Sequence, residues 1–423
     1  MSGLALCLKG RGNYVSGSDL VPNECTVRLE RAGIPVFYGH AAENLRDADT
    51  VITSSAIRAD NPELAAARER GLRVFGRAEL LALLMNEYEH SVAVAGCHGK
   101  TTATAMCAHV LDECAGNCSA HIGGLDLDYG NFRDGGKKYF VSEACEYKAN
   151  FLALRPEVAV ILNTDADHLE SYGNESRLLA AYERFASSAS AAIVCAEDRI
   201  AAKIPAALTF GVGERCDVGA ENLRSVKGKY SFSLRVRNEA PVRAELNVYG
   251  RHNVYNALAA VSVAEYFGYP TVLAVAGLKK FRGIARRFEK LGKINGAAVI
   301  ADYAHHPREI AAALTAAGEI CSGKLFVVFQ PHTYSRTKLL FDAFVSVLQK
   351  AENLVIYKTY PAREYFDADG SALTLSQALP NSLYVERVRE LDIYLRCSLQ
   401  AGDMALILGA GDIYYAAKQI VHN

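Results

Sequence analysis

The chain has 423 residues, a formal net charge of −1, and a composition that is 50% hydrophobic and 22% charged. This length predicts two to four domains. The near-zero charge argues against nucleic acid or an anionic membrane as a partner and favours small, discrete ligands. Eleven cysteines are scattered without a CxxC pair or zinc-ligand spacing, which is typical of thiols in a reducing cytoplasm. Met1–Gly10 lacks the apolar core of a signal peptide, and no apolar run is long enough to span a bilayer.

Short apolar runs alternate with longer amphipathic segments along the chain. The runs predict strands at Thr50–Ser54, Val92–Gly96, Val158–Leu162, Ala191–Cys195, Ala297–Ala301, Leu325–Phe329, Asn353–Tyr357 and Met404–Leu408. The amphipathic segments predict helices at Glu63–Arg70, Ala103–Glu113, Arg177–Ser187, Asn256–Phe267 and Glu309–Ile320. This alternation predicts an α/β protein with parallel sheets covered by helices.

Two breaks in the pattern divide the chain into three predicted domains. Asn86–His90 is polar and precedes a predicted strand, and Gly292–Gly296 is a turn-rich stretch before another. The predicted domains are residues 1–88, 89–291 and 292–423. Within the middle domain, the polar and alternating stretch Tyr230–Tyr249 predicts an antiparallel hairpin beside the parallel sheet.

The clearest motif is the turn Gly96-Cys97-His98-Gly99-Lys100-Thr101-Thr102, between a predicted strand and a predicted helix. Its glycines allow backbone N–H groups, including that of Cys97, to approach phosphate oxygens, and the helix N-terminus adds partial positive charge. Lys100 would neutralise the β and γ phosphates of ATP, and Thr101 or Thr102 would offer a hydroxyl to Mg²⁺. The general pattern expects glycine where this chain has Val94, so a chance Gly-Lys-Thr is the alternative.

Acidic residues follow two predicted strands of the middle domain. Glu143 comes after a strand-like Tyr139–Ser142, and Asp165, Asp167 and His168 come after Val158–Leu162. Because ligands of open α/β sheets lie beyond the carboxyl ends of strands, these side chains are candidates to hold Mg²⁺ near the phosphates. The alternative is a set of solvated loop charges, and His168 is either a surface residue or a second metal ligand.

Two polar, histidine-rich turns follow successive strands of the last domain. Asp302–Pro307 follows Ala297–Ala301, and Gln330–Thr337 follows Leu325–Phe329. Such turns are costly to explain by packing alone, so they predict one substrate site. Zinc held by the three histidines is the alternative, although no His-x₃-His pattern supports it.

Taken in order, the motifs resemble those of the Mur ligases, and within that family those that add L-alanine to UDP-N-acetylmuramate. The matching segments are Ser16–Asp19, Thr53–Ile57, the turn 96–102, Glu143–Tyr147, Asn163–Leu169, Gly250–Asn256, Phe281–Glu289, Asp302–Pro307, Gln330–Thr337, Tyr360–Glu364 and Gly409–Ile413. Each segment is weak alone, but the ordered set is specific.

The resemblance implies three domains: a Rossmann-like domain that binds the UDP substrate, a central ATPase domain and a Rossmann-like domain that binds the amino acid. It also implies a cytoplasmic ATP-dependent ligase of peptidoglycan synthesis. ATP phosphorylates the lactyl carboxylate of UDP-N-acetylmuramate, and the amine of L-alanine attacks the acyl phosphate to give an amide, ADP and phosphate. The partners implied are these small molecules, with no nucleic acid or membrane, and the oligomeric state is left undetermined.

The resemblance also implies roles for individual residues. Glu143 and His168 would hold two metal ions, with Thr101 near the first. His252, Asn253 and Asn256 would contact adenine, Arg287 and Asp302 the ribose and phosphates, Ser18, Asp19, Ser54 and Ser55 the UDP substrate, and His305, His332 and Arg336 the alanine and acyl phosphate. A solvated basic pair is the alternative for Arg286 and Arg287.

The sequence departs from the family pattern at three places. The first strand and glycine-rich turn of the family are absent, so the first domain is expected to be truncated at its N-terminus. Cys97 stands where many relatives have threonine, and Thr333 where several have arginine. Two alternative functions stay open: a recycling ligase that attaches murein peptides to UDP-N-acetylmuramate, and a catalytically impaired nucleotide-binding fragment.

Overall fold

The computed structural model describes residues 1–164, 172–213, 215–237 and 239–423. These residues form two compact units. The first comprises Met1–Leu223, Phe232–Glu245 and Asn253–Arg282, and the second comprises Arg224–Ser231, Leu246–His252 and Gly283–Asn423. None of the helices in the described ranges is long and apolar enough to cross a membrane.

The first unit begins with four helices and four short strands. They are α1 (Ser2–Gly10), β1 (Gly17–Asp19), α2 (Glu24–Arg31), β2 (Val36–Tyr38), β3 (Thr50–Thr53), α3 (Pro62–Glu69), β4 (Arg73–Gly76) and α4 (Arg77–Met85). Strand β1 pairs in parallel with β2, and β3 pairs in parallel with β4. Leu4 of α1 and Leu81 of α4 are buried in one core cluster with Phe140. The elements from α1 to α4, here called the first α/β region, therefore share apolar packing with the sheet that contains Phe140.

A ten-stranded sheet follows, in the order β14-β13-β12-β11-β10-β9-β5-β8-β6-β7. Its strands are β5 (His90–Ala95), β6 (Cys118–Asp126), β7 (Gly130–Arg133), β8 (Tyr139–Glu143), β9 (Val158–Ile161), β10 (Ala191–Cys195), β11 (Leu208–Gly211), β12 (Val218–Val226), β13 (Lys229–Val236) and β14 (Val242–Tyr249). Among the described residues, this region contains the helices α5 (Lys100–Ala115), α6 (Glu175–Ser187), α7 (His252–Tyr266) and α8 (Thr271–Lys280).

Strand β5 lies between β8 and β9 and is parallel to both. Its residues Val92–Ala95 are fully buried, which explains the continuous apolar run, since a strand covered on both faces has no polar side. Val94 is opposite Glu143, and Ala95 is opposite Ile161. The carboxyl ends of these three strands therefore lie at one edge of the sheet.

The second unit contains a six-stranded sheet in the order β15-β16-β20-β17-β18-β19. Its elements are β15 (Glu289–Ile294), β16 (Ala297–Asp302), α9 (Pro307–Ile320), β17 (Leu325–Phe329), α10 (Tyr334–Leu339), α11 (Phe341–Leu348), β18 (Asn353–Tyr357), α12 (Ala372–Gln377), β19 (Ser382–Val385), α13 (Val388–Ser398), β20 (Met404–Leu408) and α14 (Ile413–His422). Only β15 is antiparallel to its neighbour among the described pairings. Alternate residues enter two apolar clusters, with Val328 in one and Val327 in the other, so helices cover both faces.

The predicted secondary structure is largely confirmed. All eight predicted strands and all five predicted helices are present, with ends shifted by a few residues. The stretch Tyr230–Tyr249 does form two neighbouring strands at one edge of the sheet, β13 and β14, but β12 extends that polar region by a third strand. The predicted domain boundaries stay a prediction, because the two compact units follow a different division.

Candidate active site

The turn between β5 and α5 requires glycine at two positions. Gly96 has φ +140°, and a Cβ there would lie 3.0 Å from the Cβ of Leu162 and 3.2 Å from the backbone of Asn163. Gly99 has φ +82°, and a Cβ there would lie 2.5 Å from Oδ1 of Asn256. Both glycines of the predicted motif are thus fixed by backbone conformation and close packing.

Asn163, at the end of β9, holds this turn from the neighbouring strand. Its backbone carbonyl accepts from the N–H of Cys97 at 3.1 Å, and its Oδ1 accepts from the N–H of His98 at 2.8 Å. Its Nδ2 donates to the carbonyl of His98 at 2.9 Å. In this structure the N–H of Cys97 donates to Asn163, and its contact with the phosphates stays a prediction. Asn163 begins the segment Asn163–Leu169, and nothing in the local sequence indicates this role.

The amide groups left for an anion are those of the first turn of α5. The first i→i−4 bond of the helix runs from the N–H of Ala103 to the carbonyl of Gly99 at 2.9 Å. The N–H groups of Lys100, Thr101 and Thr102 therefore precede the first i→i−4 hydrogen bond of the helix. At this end the helix dipole favours negative charge.

The side chain of Lys100 folds against the turn. Its Nζ donates to the carbonyls of Gly96 at 2.5 Å and Cys97 at 3.2 Å, and to Oε1 of Glu146 at 2.9 Å. Burial lowers the pKa of Lys100, but the attraction of Glu146 outweighs it and the net pKa is raised. Lys100 therefore carries its positive charge at neutral pH.

Glu143 ends β8, directly beside the turn-bearing strand. Its Oε1 accepts from the N–H of Gly123 at 3.1 Å. Its charge also contributes to raising the pKa of Lys100, which places the two groups in one electrostatic environment. Asp165, Asp167 and His168, the other predicted acidic and metal-binding residues, lie outside the described residues.

The three residues predicted for adenine are divided between the units. Asn253 and Asn256 are buried on α7 in the first unit, and Nδ2 of Asn256 donates to Oδ1 of Asn253 at 2.9 Å. Asn256 also faces Gly99, as its short distance to the position of a Cβ shows. His252 is exposed and belongs to the second unit.

Ser18 lies in a polar network of the first α/β region. Its hydroxyl donates to Oε2 of Glu63 at 3.0 Å and lies 3.0 Å from Nδ1 of His40. Nδ2 of Asn44 donates to the other oxygen of Glu63 at 2.8 Å. This network fixes the serine that sequence analysis assigned to the UDP substrate.

The other predicted contacts to the UDP substrate lie at strand ends of the same region. Asp19 ends β1 and accepts from the N–H of Leu20 at 2.7 Å. Ser54 and Ser55 follow β3, and the hydroxyl of Ser55 accepts from Nδ2 of Asn150 at 3.4 Å.

In the second unit, His305, His332 and Arg336 form what we call the C-terminal cluster. The rings of His305 and His332 lie 5.8 Å apart, and Nη1 of Arg336 donates to Nδ1 of His332 at 3.3 Å. His332 also stacks on Tyr360. The structure thus brings together the three residues predicted for one pocket, because β16 and β17 both flank β20 and end at one edge of the sheet.

The hydrogen bonds give the two rings opposite roles. Nδ1 of His305 lies 2.9 Å from the carbonyl of Tyr303, which can only accept, so Nδ1 carries the proton and Nε2 has a lone pair. Nδ1 of His332 accepts from Arg336, so its proton is on Nε2. Burial is the main cause that lowers the pKa of both rings, to about 4 for His332. Both are neutral at pH 7, and Arg336 carries the positive charge of the cluster.

Arg286 and Arg287 differ in environment. The guanidinium of Arg286 lies 4.7 Å from the ring of Tyr303 and 4.8 Å from that of Tyr414, and it donates to the carbonyl of Gly411 at 2.9 Å. The alternative of a solvated basic pair is therefore wrong for Arg286. Arg287 is one-third exposed and lies 3.9 Å from Glu309.

The remaining predicted residues of the second unit have structural roles. Asp302 accepts from the N–H groups of Phe288 and Ala304, each at 2.8 Å, which ties β16 to the preceding segment. Thr333 caps α10 through its hydroxyl. Within the described residues, the only group spaced to hold a metal ion is His109, Asp126 and Asp128; the three histidines of the zinc alternative are not among them.

Comparison with known families covers nearly the whole chain. Residues 1–89 match the Mur ligase family catalytic domain, residues 94–264 the Mur ligase middle domain, and residues 286–411 the Mur ligase glutamate ligase domain. The chain belongs to the Mur ligase family. The predicted family, the three-domain α/β architecture and the ligase class are thereby confirmed. The first Mur ligase domain, which was expected to be truncated, matches the family in residues 1–89.

Individual Mur ligases align with the chain over its full length. It is 38% identical to a UDP-N-acetylmuramate–L-alanine ligase of Clostridium novyi, covering 100% of this chain and 94% of the relative. It is 40% identical to the ligase of the same name from Xanthomonas campestris, with 100% and 92% covered. The solved UDP-N-acetylmuramate-alanine ligase of Thermotoga maritima superposes with a TM-score of 0.88 at 31% identity, with 100% and 96% covered.

Proposed function

We propose that this Mur ligase uses ATP to join L-alanine to the lactyl carboxylate of UDP-N-acetylmuramate, a step of peptidoglycan synthesis in the cytoplasm. The observation that carries the proposal is the alignment of the entire chain with ligases of that name at 38% and 40% identity. A murein peptide ligase of Psychrobacter arcticus shares the fold at a TM-score of 0.75, but its identity of 24% supports no more than the fold.

In the first step, the carboxylate attacks the γ phosphorus of ATP, and ADP leaves. The phosphates would lie at the N-terminus of α5, where the amides of Lys100, Thr101 and Thr102 point ahead of the helical ladder. The protonated Lys100 would neutralise charge that develops during transfer. The acyl phosphate that results has a far better leaving group than the carboxylate oxygen.

The donor set near the turn fits Mg²⁺. Thr101 offers a hydroxyl and Glu143 a carboxylate, and oxygen ligands are those that Mg²⁺ prefers. Strand β5, which leads into the turn and α5, is paired with β8, which ends at Glu143. When bound, the ion would supply further charge neutralisation at the phosphates. His168 stays a proposed second ligand.

In the second step, the amine of L-alanine attacks the acyl carbon, and phosphate leaves. The C-terminal cluster suits this chemistry. Arg336 offers a fork of donors to the amino-acid carboxylate. The lone pair on Nε2 of His305 is a proton acceptor for the ammonium that must lose its proton, and the Nε2–H of His332 is a donor for an oxygen of the acyl phosphate.

The other assignments complete the proposal. His252, Asn253 and Asn256 would contact adenine, Arg287 and Asp302 the ribose and phosphates, and Ser18, Asp19, Ser54 and Ser55 the UDP substrate. The buried pair Asn253 and Asn256 supports the first of these, because it adjoins Gly99 of the turn.

The test measures phosphate release by purified protein with UDP-N-acetylmuramate, ATP and Mg²⁺. Release should depend on added L-alanine and should stop when either ATP or Mg²⁺ is omitted. Release with a murein tripeptide but not with alanine would instead identify a recycling ligase. ATP binding without any turnover would identify the impaired nucleotide-binding protein.

A further inference from the structure

All three protons of the Lys100 ammonium have acceptors, and two of these acceptors belong to the turn itself. The carbonyls of Gly96 and Cys97 accept from Nζ and hold it against the turn. The third acceptor, Oε1 of Glu146 at 2.9 Å, comes from a different loop and is the one that carries charge. The direction in which Lys100 extends is therefore set from outside the turn.

Glu146 is unusually well suited to this task. Its side chain is 2% exposed, while that of Lys100 is 16% exposed. Burying a carboxylate is costly unless an opposite charge compensates it, so the two charges depend on each other. Glu143, the acid singled out in the sequence, instead accepts from the N–H of Gly123 and is the metal-ligand candidate.

The loop that carries Glu146 is held in an uncommon conformation. Lys148 and Ala149 have φ of +52° and +54°, a left-handed pair without glycine that costs about 1 kcal/mol or more per residue. The carbonyl of Glu146 accepts from the N–H of Ala149 at 2.9 Å and from the buried hydroxyl of Tyr172 at 2.5 Å. These bonds fix the backbone of Glu146, from which its buried carboxylate reaches Lys100.

We propose that Glu146 is a positioning residue that acts through Lys100: its buried carboxylate holds the ammonium in the orientation from which Lys100 serves phosphoryl transfer. The inference rests on the proposed function, because it assigns Lys100 to the phosphates of ATP. Placement matters here, since catalysis of phosphoryl transfer is mostly positioning and charge neutralisation, and a misplacement of about 1 Å costs on the order of a hundredfold in rate.

The first experiment needs no turnover. Wild-type protein and Glu146→Gln are acetylated briefly with N-hydroxysuccinimidyl acetate, and the extent at each lysine is read by peptide mass spectrometry. Loss of the carboxylate should free the ammonium from its buried partner, so labelling of Lys100 should rise at least about threefold, because its amine becomes more accessible. Exposed lysines such as Lys203 should be unchanged. Unchanged labelling of Lys100 would overturn the proposal.

The second experiment separates positioning from folding. For Glu146→Gln, kcat should fall about 10- to 100-fold, while the Kd and the stoichiometry for a non-hydrolysable ATP analogue should change by less than about threefold, since the helix amides still hold the phosphates. Glu146→Asp, which keeps the charge at a longer distance, should be intermediate. Glu157→Gln is the matched control, because Glu157 pairs with His90 at the other end of β5 and should leave kcat unchanged.

The outcomes are distinct. A loss of binding stoichiometry in proportion to kcat would show a merely structural role and overturn the proposal, as would a normal kcat in Glu146→Gln. If Lys100 labelling rises but the wild-type protein shows no alanine-dependent turnover, then Glu146 positions Lys100 and the proposed reaction is wrong instead.

Discussion

The phosphate turn and the C-terminal cluster both lie at the carboxyl ends of parallel strands, yet they are built from different parts of the chain. The turn offers backbone amides from one continuous segment, shaped by Gly96 and Gly99 and held by Asn163. The cluster offers side chains from the segments that follow two separate strands, and their relation depends on the packing of β16, β20 and β17. A backbone site needs a specific conformation, whereas a side-chain site needs specific groups, so the two should respond differently to substitution.

The largest effect is expected where the turn relies on a side chain. Lys100→Ala should lower kcat by at least about a thousandfold, because the charge on the transferring phosphoryl group loses its fixed cation. Phosphate release with saturating substrates measures it, and circular dichroism should show an intact fold. Lys280→Ala is the control, since Lys280 is exposed and pairs with Glu113. A near-normal rate for Lys100→Ala would refute the assignment of the turn.

A smaller effect is expected from the charge of the C-terminal cluster. Arg336→Gln should raise KM for L-alanine about 10- to 100-fold, since a charge-assisted bidentate contact is lost. The Kd for an ATP analogue should not change. Lys338→Gln on the same helix removes an exposed cation that pairs with Asp367 and Asp369 and should change neither quantity. Equal losses of alanine and nucleotide binding would contradict the separation of the two sites.

A smaller effect is expected from the hydrogen bonds by which Asn163 holds the turn. Asn163→Ala removes two hydrogen bonds to His98 and should weaken binding of an ATP analogue about tenfold, corresponding to about 1–2 kcal/mol. Calorimetric titration measures the Kd. Asn13→Ala, which loses only an exposed bond to Leu8, is the control. An unchanged affinity would mean that the turn keeps its shape without the side chain of Asn163.

The last effect, of similar size, concerns stability and the neutral rings of the cluster. Burial, followed by His305 and Arg336, lowers the pKa of His332 from 6.5 to about 4. Between these values the unfolded chain binds more protons than the folded chain, so stability is lost as the pH falls through that window. Allowing for the partial exposure of the ring, the loss is about 1–2 kcal/mol. His332→Gln should reduce the drop in unfolding temperature between pH 7 and pH 5; an equal drop would contradict this.

Sequence reasoning found the elements that have strong local signals. The apolar runs that became β5, β16, β17 and β20 are buried on both faces, so burial alone makes them recognisable. The three-residue strands β1 and β2 and the polar strand β12 carry no such signal. These strands pair with partners that folding brings alongside them, so the local sequence does not predict the pairing.

The candidate site shows the same limit. The glycines and Lys100 of the turn form one local motif, and the two histidine-rich turns follow recognisable strands, so both could be located from the sequence. The sequence does not predict whether Glu143 or Glu146 pairs with Lys100, because the pairing depends on the left-handed backbone at Lys148 and Ala149. The tautomers of His305 and His332 likewise depend on contacts with Tyr303 and Arg336.

The hydrogen bonds between Asn163 and the turn affect which residues can occupy position 97. The backbone of Cys97 is engaged by Asn163, while its side chain is 7% exposed and its Sγ lies 3.8 Å from the hydroxyl of the buried Tyr182. We therefore expect a substitution at this position to alter packing beneath the turn rather than contact with a nucleotide. Residues of similar size, such as cysteine and threonine, can then replace one another during divergence without altering what the turn binds.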